Sequence, residues 1–477
     1  MISIPGRQGR CCDGPTRREL LRVGGAGMLG LSLPQFLARQ ALANASPSGT
    51  FGKAKSVILL YLQGGPSHLD ICDPKPDAPS NIRGEFKPIK SNVDGIYLSE
   101  VMPLLAQQMD KCSLIRSVSY TPKGLFNHTA AMYQMLTGYT PDKVSPSGQL
   151  EPPSPRDFPN VGCNVTKLNP PDVPMLPFVM MPRPLQESNV IGKAGTAGFL
   201  GKAFDPYYLY QDPNEAIDTG DLKLPEGMTK ERMQRRANLL KTVDANMPKL
   251  QRALDETALN EYQQKAFDLI LSGRARSAFD LTEESDDMRE RYGRTTFGQS
   301  ALLARRLVEA GTRFVQVNWP AVANGNPTVD AFDTHAANFG PLKNLHCPKL
   351  DKALAALLAD LDERGLLDET LVLAVGEFGR SPRMGVSTSG NSNAPDGRDH
   401  WPYCYTAMIA GAGVKRGNVY GESDQHGSSP KKDPVHPTDL LATIYHSIGL
   451  DPHTTVYNEL NQPRPMVEGN VLHGLFG

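Results

Sequence analysis

The sequence lacks the features that mark several large classes of protein. Its 477 residues contain 50 lysines and arginines against 51 aspartates and glutamates, a formal net charge of -1 at pH 7. A balance so close to zero provides no basic field for nucleic acid or for an anionic membrane surface, so we expect neither partner. Beyond residue 45 no run of eighteen apolar residues occurs. We therefore expect no stable membrane span in the mature chain.

Cysteine is scarce and arranged in no recognisable pattern. Past residue 45 there are five cysteines, an odd number, at wide spacings: Cys72, Cys112, Cys163, Cys347 and Cys404. This spacing forms neither a disulfide framework nor a CxxC metal motif. Cys72 and Cys163 stand in loop-like contexts where pairing is conceivable. Buried or free thiols are the interpretation that we prefer.

The first 45 residues have the layout of a twin-arginine export signal. Arg17 and Arg18 precede an apolar run of small residues, 23–37, and Ala-x-Ala sites follow at Ala41 and Ala43. An ordinary first helix is the alternative, but this order is typical of a cleaved signal. Residues 1–45 are predicted to be the signal peptide and the mature protein to be periplasmic or extracellular. The route carries folded chains, which mildly favours a cofactor acquired in the cytoplasm.

Apolar runs alternate with amphipathic stretches along the rest of the chain. Ser56–Leu62 and Thr370–Val375 are uncharged and are interrupted by glycine at Gly64 and Gly376, as expected for strands buried on both faces of a parallel sheet. The alternation predicts one three-layer α/β/α domain over residues 46–477, with a mostly parallel sheet. Further predicted strands are Cys112–Val118 and Arg313–Trp319, and predicted helices are Leu98–Gln108, His128–Thr137, Phe297–Ala310 and His346–Arg364.

Two segments interrupt this alternation. Residues 141–177 are rich in proline and are predicted to run over the surface as a long ordered excursion. The stretch from Lys230 to Ala278 is charged, rich in leucine and alanine, and without proline after Pro248. It predicts a helical insertion near residues 230–280, most simply a helical hairpin.

Polar residues gather directly after the predicted strands, where α/β folds place their sites. In Asp333-Thr334-His335 a carboxylate and an imidazole stand two residues apart, so both can share a divalent ion. Glu377 and the Asp399-His400 pair add oxygen and nitrogen ligands of the kind that zinc, manganese or magnesium bind. The complete set is Ser67, His68, Asp70, Asp333, Thr334, His335, Glu377, Arg380, Arg398, Asp399 and His400.

Three residues are candidates for contact with a substrate. His128 opens a predicted helix, where an imidazole could serve as base, nucleophile or ligand, or only cap the helix. Arg380 and Arg398 could clamp a phosphate or sulfate, although an exposed arginine is more often simply solvated. Gly64-Gly65 resembles no phosphate-binding loop and predicts a tight turn that permits close backbone approach.

At these residues the chain resembles the alkaline phosphatase/sulfatase superfamily, and more closely the exported sulfatase-like family called domain of unknown function 1501. The resemblance covers the chain from about Lys53 to its end, least so in the 230–278 helices. The segment Pro437–Leu450 also resembles the family's terminal helix. The motifs that carry the resemblance to this family are Gly64–Asp70, Asp73–Pro76, Phe332–His335, Gly376–Arg380 and Gly397–Pro402.

The resemblance implies one intact and one altered metal position. Asp333, His335 and His400 match the acid and two histidines of one position. At the other, the paired aspartates of sulfatases are replaced by Gln63 and Gly64, with Asp70 or His68 as stand-ins and Glu377 retained as a carboxylate. Phe378 stands where those enzymes have histidine. His128 stands where they have their cysteine or serine nucleophile.

Two functions remain open from the sequence. The first is an exported hydrolase of phosphate or sulfate esters that uses zinc, calcium, manganese or magnesium. Its substrate would be a small anionic ester or a sulfated or phosphorylated glycan. The metal ligands would be Asp333, His335, His400, Glu377, Asp70 and His68. His128 and Arg380 would be catalytic. Arg398 and Asp399 would bind the substrate. The second is a catalytically inactive binding or structural protein on the same scaffold.

Overall fold

The apolar run at Ser56 forms an inner strand of an eight-stranded sheet. The computed structural model describes residues 49–141, 151–187, 190–224, 226–245, 259–320, 331–335, 337–390 and 392–477. The strands are β1 Ser56–Tyr61, β2 Cys112–Val118, β3 Phe178–Met181, β4 Tyr207–Tyr208, β5 Phe314–Asn318, β6 Thr370–Val375, β7 Tyr405–Ala410 and β8 Asn418–Tyr420. Their order across the sheet is β8-β2-β7-β6-β1-β5-β3-β4.

The sheet is parallel except at β7, which runs antiparallel to both of its neighbours, β6 and β2. β1 pairs in parallel with β6 and with β5, and Tyr61 stands opposite Val375 on one side and Asn318 on the other. The three inner strands therefore leave the sheet at the same carboxyl edge. Loops that follow them meet there, as in other parallel α/β sheets.

Residues of β1 alternate between two hydrophobic cores, one on each face of the sheet. Ile58 and Leu60 belong to one core, and Val57, Leu59 and Tyr61 belong to the other. Because both faces are covered, the strand carries no polar face, which explains its continuous apolar sequence. Helices pack on each face, so the predicted three-layer α/β/α architecture with a mostly parallel sheet is confirmed. Thr50–Gly477 form one compact unit.

Nine helices of six or more residues lie within the described ranges. On one face, α7 and α8 pack beside each other, and on the other face lie α1, α2 and α9. The helices are α1 His128–Thr137, α2 Val161–Leu168, α3 Lys230–Ala245, α4 Leu259–Ser272, α5 Arg274–Phe279, α6 Asp286–Tyr292, α7 Thr296–Ala310, α8 Cys347–Glu363 and α9 Pro437–Ser447.

Short elements connect these helices and strands. Two-stranded ribbons join Pro88–Lys90 to Tyr97–Ser99, Gln186–Glu187 to Val190–Ile191, Gly379–Arg380 to His400–Trp401, Glu422–Ser423 to Pro430–Lys432, and Thr455–Tyr457 to Pro463–Pro465. Short helical turns are His68–Ile71, Ser80–Arg83, Pro103–Ala106, Met109–Lys111, Gly198–Leu200, Lys202–Phe204, Gly220–Leu222, Leu281–Glu283, Phe339–Pro341 and His473–Leu475, and Leu342–His346 is a π-helix.

The predicted insertion is helical, with α3 and α4 in contact with each other. Residues 246–258 between them lie outside the described ranges, as do 142–150 of the proline-rich excursion. That excursion contains α2, which its prolines concealed. The prediction of one helix over Leu98–Gln108 is wrong, because Leu98 lies in a ribbon strand and only Pro103–Ala106 is α-helical. Met102 lacks helical backbone angles (φ -124°, ψ 50°), so the helix begins at Pro103.

The predicted signal peptide lies outside the described residues. Among those that are described, no helix is both long enough and apolar enough to cross a bilayer. Cys72, Cys112, Cys163, Cys347 and Cys404 are all free thiols, and only Cys72 is not fully buried. The preference for free over paired cysteines is therefore confirmed.

A buried carboxyl group in α8 predicts a pH dependence of stability. Asp351 accepts hydrogen bonds from the backbone N–H groups of Leu104 and Leu105, yet burial outweighs them and raises its pKa to about 6. The native state then binds this proton more tightly than the unfolded chain, whose aspartates titrate near about pH 3.9. The free energy of unfolding should fall as pH rises from about 4 to about 6, by about 3 kcal/mol.

Urea unfolding of the wild type and of Asp351→Asn across this pH range measures the effect. The asparagine variant cannot ionise here, so we expect its stability to lack this decrease. Parallel curves for the two proteins would contradict the assignment of the raised pKa to Asp351.

Candidate metal centre

Three loops at the carboxyl edge bring His128, Asp333 and His400 together. His128 is the first residue of α1, and His400 stands opposite Arg380 in the short ribbon that follows β6. Asp333 lies in the segment after β5, whose residues 321–330 are outside the described ranges. One ligand atom from each of the three side chains lies within 4.8 Å of the others. They form the one potential metal-binding group of three or more such residues within the described ranges.

The carboxylate of Asp333 is the centre of this arrangement. Its Oδ1 lies 3.4 Å from Nε2 of His128 and 3.3 Å from Nε2 of His400, while its Oδ2 lies 3.3 Å from Nε2 of His335. Around a tetrahedral ion with ligands at about 2.0–2.1 Å, ligand atoms stand about 3.3–3.4 Å apart. The spacing of these nitrogen and oxygen atoms therefore fits a shared divalent ion.

Each of the three histidines has its other ring nitrogen against a fixed oxygen atom. Nδ1 of His128 lies 2.6 Å from Oε1 of Glu377. Nδ1 of His400 lies 2.6 Å from the carbonyl oxygen of Phe126, and Nδ1 of His335 lies 3.1 Å from that of Ser392. A carbonyl oxygen only accepts, so we assign the proton to Nδ1 in His400 and His335. The carboxylate of Glu377 gives the same assignment for His128.

This assignment leaves three Nε2 lone pairs directed at one carboxylate. Nε2 of His128 is buried and makes no hydrogen bond. Arg380 balances the Asp333 carboxylate from one side, but with the protons on Nδ1 no positive charge stands between that carboxylate and the three lone pairs, which is unfavourable in a buried site. A divalent cation supplies that charge and binds all the atoms concerned, so the residues present fit a metal.

The pKa values of the same groups show how strong this field is. Burial alone would lower the pKa of His128, but Asp333 and Glu377 outweigh it and raise the pKa to about 10. Burial would raise the pKa of Asp333, but Arg380 and His128 hold it well below its usual range. A proton on His128 and a metal at Nε2 are therefore alternative ways to balance the carboxylates.

Phe378 and Gly64 shape the walls of the site. The buried Phe378 ring lies 4.7 Å from the ring of His128 and 4.8 Å from that of His400, measured between centroids. A β-carbon at Gly64, whose φ is +106°, would stand 2.5 Å from the backbone nitrogen of Phe332 and 2.6 Å from that of Asp333. The predicted close backbone approach at Gly64-Gly65 is confirmed, and it brings the β1 loop against Asp333.

Arg380 is fully buried and its donors are directed at the protein. Its Nε donates to the Gly65 carbonyl at 2.9 Å and its Nη1 to the Arg398 carbonyl at 3.2 Å. Its Nη2 donates to Oδ1 of Asp333 at 2.5 Å and also to the Gly64 carbonyl. These contacts fix the carboxylate and the β1 loop. They give no support to the prediction that Arg380 clamps a substrate anion.

Asp70 and Arg398 form a second buried group outside the metal cluster. Nε and Nη2 of Arg398 donate to the two carboxylate oxygens of Asp70 at 2.7 and 3.1 Å. Ser67 and Asn338 donate to the same carboxylate. Arg398 also donates to the carbonyls of Ile82, Ser381 and Pro382. The structure thus places Asp70 outside the metal cluster, and the contacts of Arg398 give no support to the prediction that it binds substrate.

His68 and Asp399 also have local partners. Nε2 of His68 lies 2.8 Å from the Gly427 carbonyl, and His68 does not join the metal cluster. Asp399 accepts hydrogen bonds from the backbone of Thr388, Ser389 and His400, which lower its pKa to about 2 against the opposing effect of burial. Asp399 therefore organises the loop before His400, and these contacts give no support to the prediction that it binds substrate.

The fold and this site define an α/β protein with a candidate metal centre at the carboxyl edge of its sheet. Residues 54–476 match the family described as Protein of unknown function (DUF1501). The chain belongs to that family, and the predicted family resemblance is confirmed. The search of curated proteins finds no match.

Three of the solved structures with some similarity to this chain are the following. A protein in the alkaline phosphatase superfamily from Vibrio parahaemolyticus has 12% identity and a TM-score of 0.40, with 89% of this chain and 71% of that chain covered. The phosphonate monoester hydrolase SpPMH from Silicibacter pomeroyi has 13% identity and a TM-score of 0.35, with 89% of this chain and 76% of that chain covered. The PsFucS1 sulfatase from Pseudoalteromonas sp. has 13% identity and a TM-score of 0.37, with 87% of this chain and 71% of that chain covered. TM-scores this low carry no argument about the site.

Proposed function

We propose that this protein is a metal-dependent hydrolase of phosphate or sulfate esters. His128, Asp333 and His400 hold the metal, and His335 approaches the same carboxylate from the more exposed side. The observation that carries the proposal is the set of three Nε2 atoms at 3.3–3.4 Å from the oxygens of Asp333. A set this rich in imidazole favours zinc over manganese, magnesium and calcium, which prefer oxygen ligands.

When bound, a divalent metal acts as a Lewis acid that withdraws charge from a phosphoryl or sulfuryl oxygen. The protein prepares the site for that chemistry. Arg380 keeps the Asp333 carboxylate ionised, and the Phe378 ring keeps water from the sides of two imidazoles. α1 begins at His128, so the positive end of its dipole lies at the site and favours an anionic ester.

The ester class comes from the sequence motifs that resemble the alkaline phosphatase/sulfatase superfamily. We propose a small anionic ester or a sulfated or phosphorylated glycan as substrate, and export by the twin-arginine route to the periplasm or beyond. With His128 as a ligand, neither serine nor cysteine stands at that position as nucleophile, so water attacks the ester. The inactive binding protein remains the alternative, and it is distinguished by turnover.

Elemental mass spectrometry of the purified protein, followed by assays on aryl phosphates and aryl sulfates, tests the proposal. We expect stoichiometric zinc in the wild type, loss of the zinc in His400→Ala and His335→Ala, and loss of hydrolysis in the same two variants. Tyr457→Phe, at an exposed tyrosine of the last ribbon, is the control and should retain both. A folded wild type without metal would refute the proposal, and metal without turnover would favour the binding protein.

A further inference from the structure

We propose that Glu377 is a positioning residue that holds the proton of His128 on Nδ1, rather than a metal ligand. This inference rests on the proposed function, since the protonation of His128 matters because Nε2 is then free to bind the metal. It differs from the sequence prediction, which placed Glu377 among the ligands. The argument depends on what already contacts the two oxygens of its carboxylate.

Both carboxylate oxygens of Glu377 are occupied by donors of the protein. Oε1 accepts from the backbone N–H of Gly64 at 2.8 Å and stands 2.6 Å from Nδ1 of His128. Oε2 accepts from the hydroxyl of Tyr61 at 3.3 Å. Glu377 and Tyr61 are both completely buried. An oxygen that turned to a metal would leave at least one of these buried donors without its partner.

The donors around Glu377 favour a proton on Nδ1 of His128. The backbone N–H of Gly64 donates to Oε1 and the hydroxyl of Tyr61 donates to Oε2, so the carboxylate acts as an acceptor at both oxygens. The remaining contact of Oε1 is Nδ1 of His128, which is then the donor in that contact. The Nε2 lone pair is left facing Asp333 and His400. A carboxylate that fixes the second nitrogen of a metal-binding histidine is a recurring arrangement in metalloproteins.

Two tyrosines hold Glu377 in this position. Tyr61 is the last residue of β1 and the single hydroxyl in an otherwise apolar part of the strand, Val57–Tyr61. The hydroxyl of Tyr120 donates at 2.7 Å to the backbone carbonyl of Glu377. The side chain and the backbone of Glu377 are thus each fixed by one tyrosine. A tyrosine at the end of a buried strand is explained by this single polar contact.

The test compares Glu377→Gln with Glu377→Leu by zinc calorimetry and by proton–nitrogen NMR of the histidine rings in zinc-loaded protein. In the glutamine variant an amide oxygen can still accept from Gly64 and His128, so we expect the His128 Nδ1–H signal to persist and affinity to fall by about tenfold or less. In the leucine variant Nδ1–H loses its acceptor. We expect that signal to exchange with water and affinity to fall about 10–100-fold, as for other supporting residues.

Tyr61→Phe tests the support of Glu377, with Tyr445→Phe as its matched control. Tyr445 is also completely buried and hydrogen-bonded, at 2.8 Å to Asn164, but on α9 away from Glu377. We expect weaker zinc binding in Tyr61→Phe alone. Two results would overturn the positioning role of Glu377. One is a wild-type protein that binds zinc but has the His128 proton on Nε2. The other is an unchanged zinc affinity in the Glu377 variants. Wild-type protein that binds no metal would instead overturn the proposed function.

Discussion

Asp333→Asn should empty the metal site and stop ester hydrolysis. Asp333 is the only carboxylate within 3.4 Å of Nε2 atoms from three histidines among the described residues, and Arg380 donates to it as well. Asparagine has nearly the same shape but lacks the charge that holds a cation among three imidazoles. Replacing a supporting residue of a metal site costs about 10–100-fold in affinity, so loss of this shared ligand should cost more than about 100-fold. Calorimetric zinc titration and aryl-ester assays measure the two effects.

Asp70→Asn is the matched control for that variant. Asp70 is another buried aspartate with a buried arginine partner, Arg398, but it lies outside the metal cluster. Both replacements remove one buried charge from an aspartate–arginine pair. We expect Asp70→Asn to keep its metal, provided circular dichroism shows a folded chain. Metal retained in Asp333→Asn, or lost from folded Asp70→Asn, would contradict our choice of ligands.

Much of the fold could be predicted from the sequence because its central elements are bounded by clear signals. β1 and β6 are apolar runs with a glycine within three residues of their ends, and α1 ends at Gly138 in the left-handed conformation that favours glycine. β7 was not predicted. Its sequence, Tyr405–Ala410, follows a polar loop, and its direction depends on pairing with β2 from far earlier in the chain.

The site was only partly predictable for the same reason. Strand ends and motifs placed Asp333, His335 and His400 together, because the carboxyl edge of a parallel sheet gathers such loops. Sequence could not show which acid pairs with which base. The roles of Tyr61 and of the carbonyls at Phe126 and Ser392 were also missed. The hydroxyl in an apolar strand was the one available signal for Tyr61.

The pair formed by Asp70 and Arg398 should contribute more to stability than to chemistry. Both side chains are completely buried, and removing one partner leaves the other charge unpaired away from water. Such a change costs about 3–5 kcal/mol, whereas replacing both with apolar residues is often close to neutral. We therefore expect Arg398→Met and Asp70→Leu each to lower the free energy of unfolding by about 3–5 kcal/mol. The double variant should lose less free energy of unfolding than the sum of the losses in the two single variants.

Urea unfolding of the four proteins gives the coupling between the two residues, and metal analysis of the same samples separates stability from chemistry. If Asp70 were a ligand, the double variant would lose metal even where its stability recovers. If Arg398 bound the substrate anion, Arg398→Met would raise KM in protein that remains folded. A restored free energy of unfolding together with full metal content would show that this pair supports the β1 loop and the segment before His400. The chemistry would then belong to the histidines around Asp333.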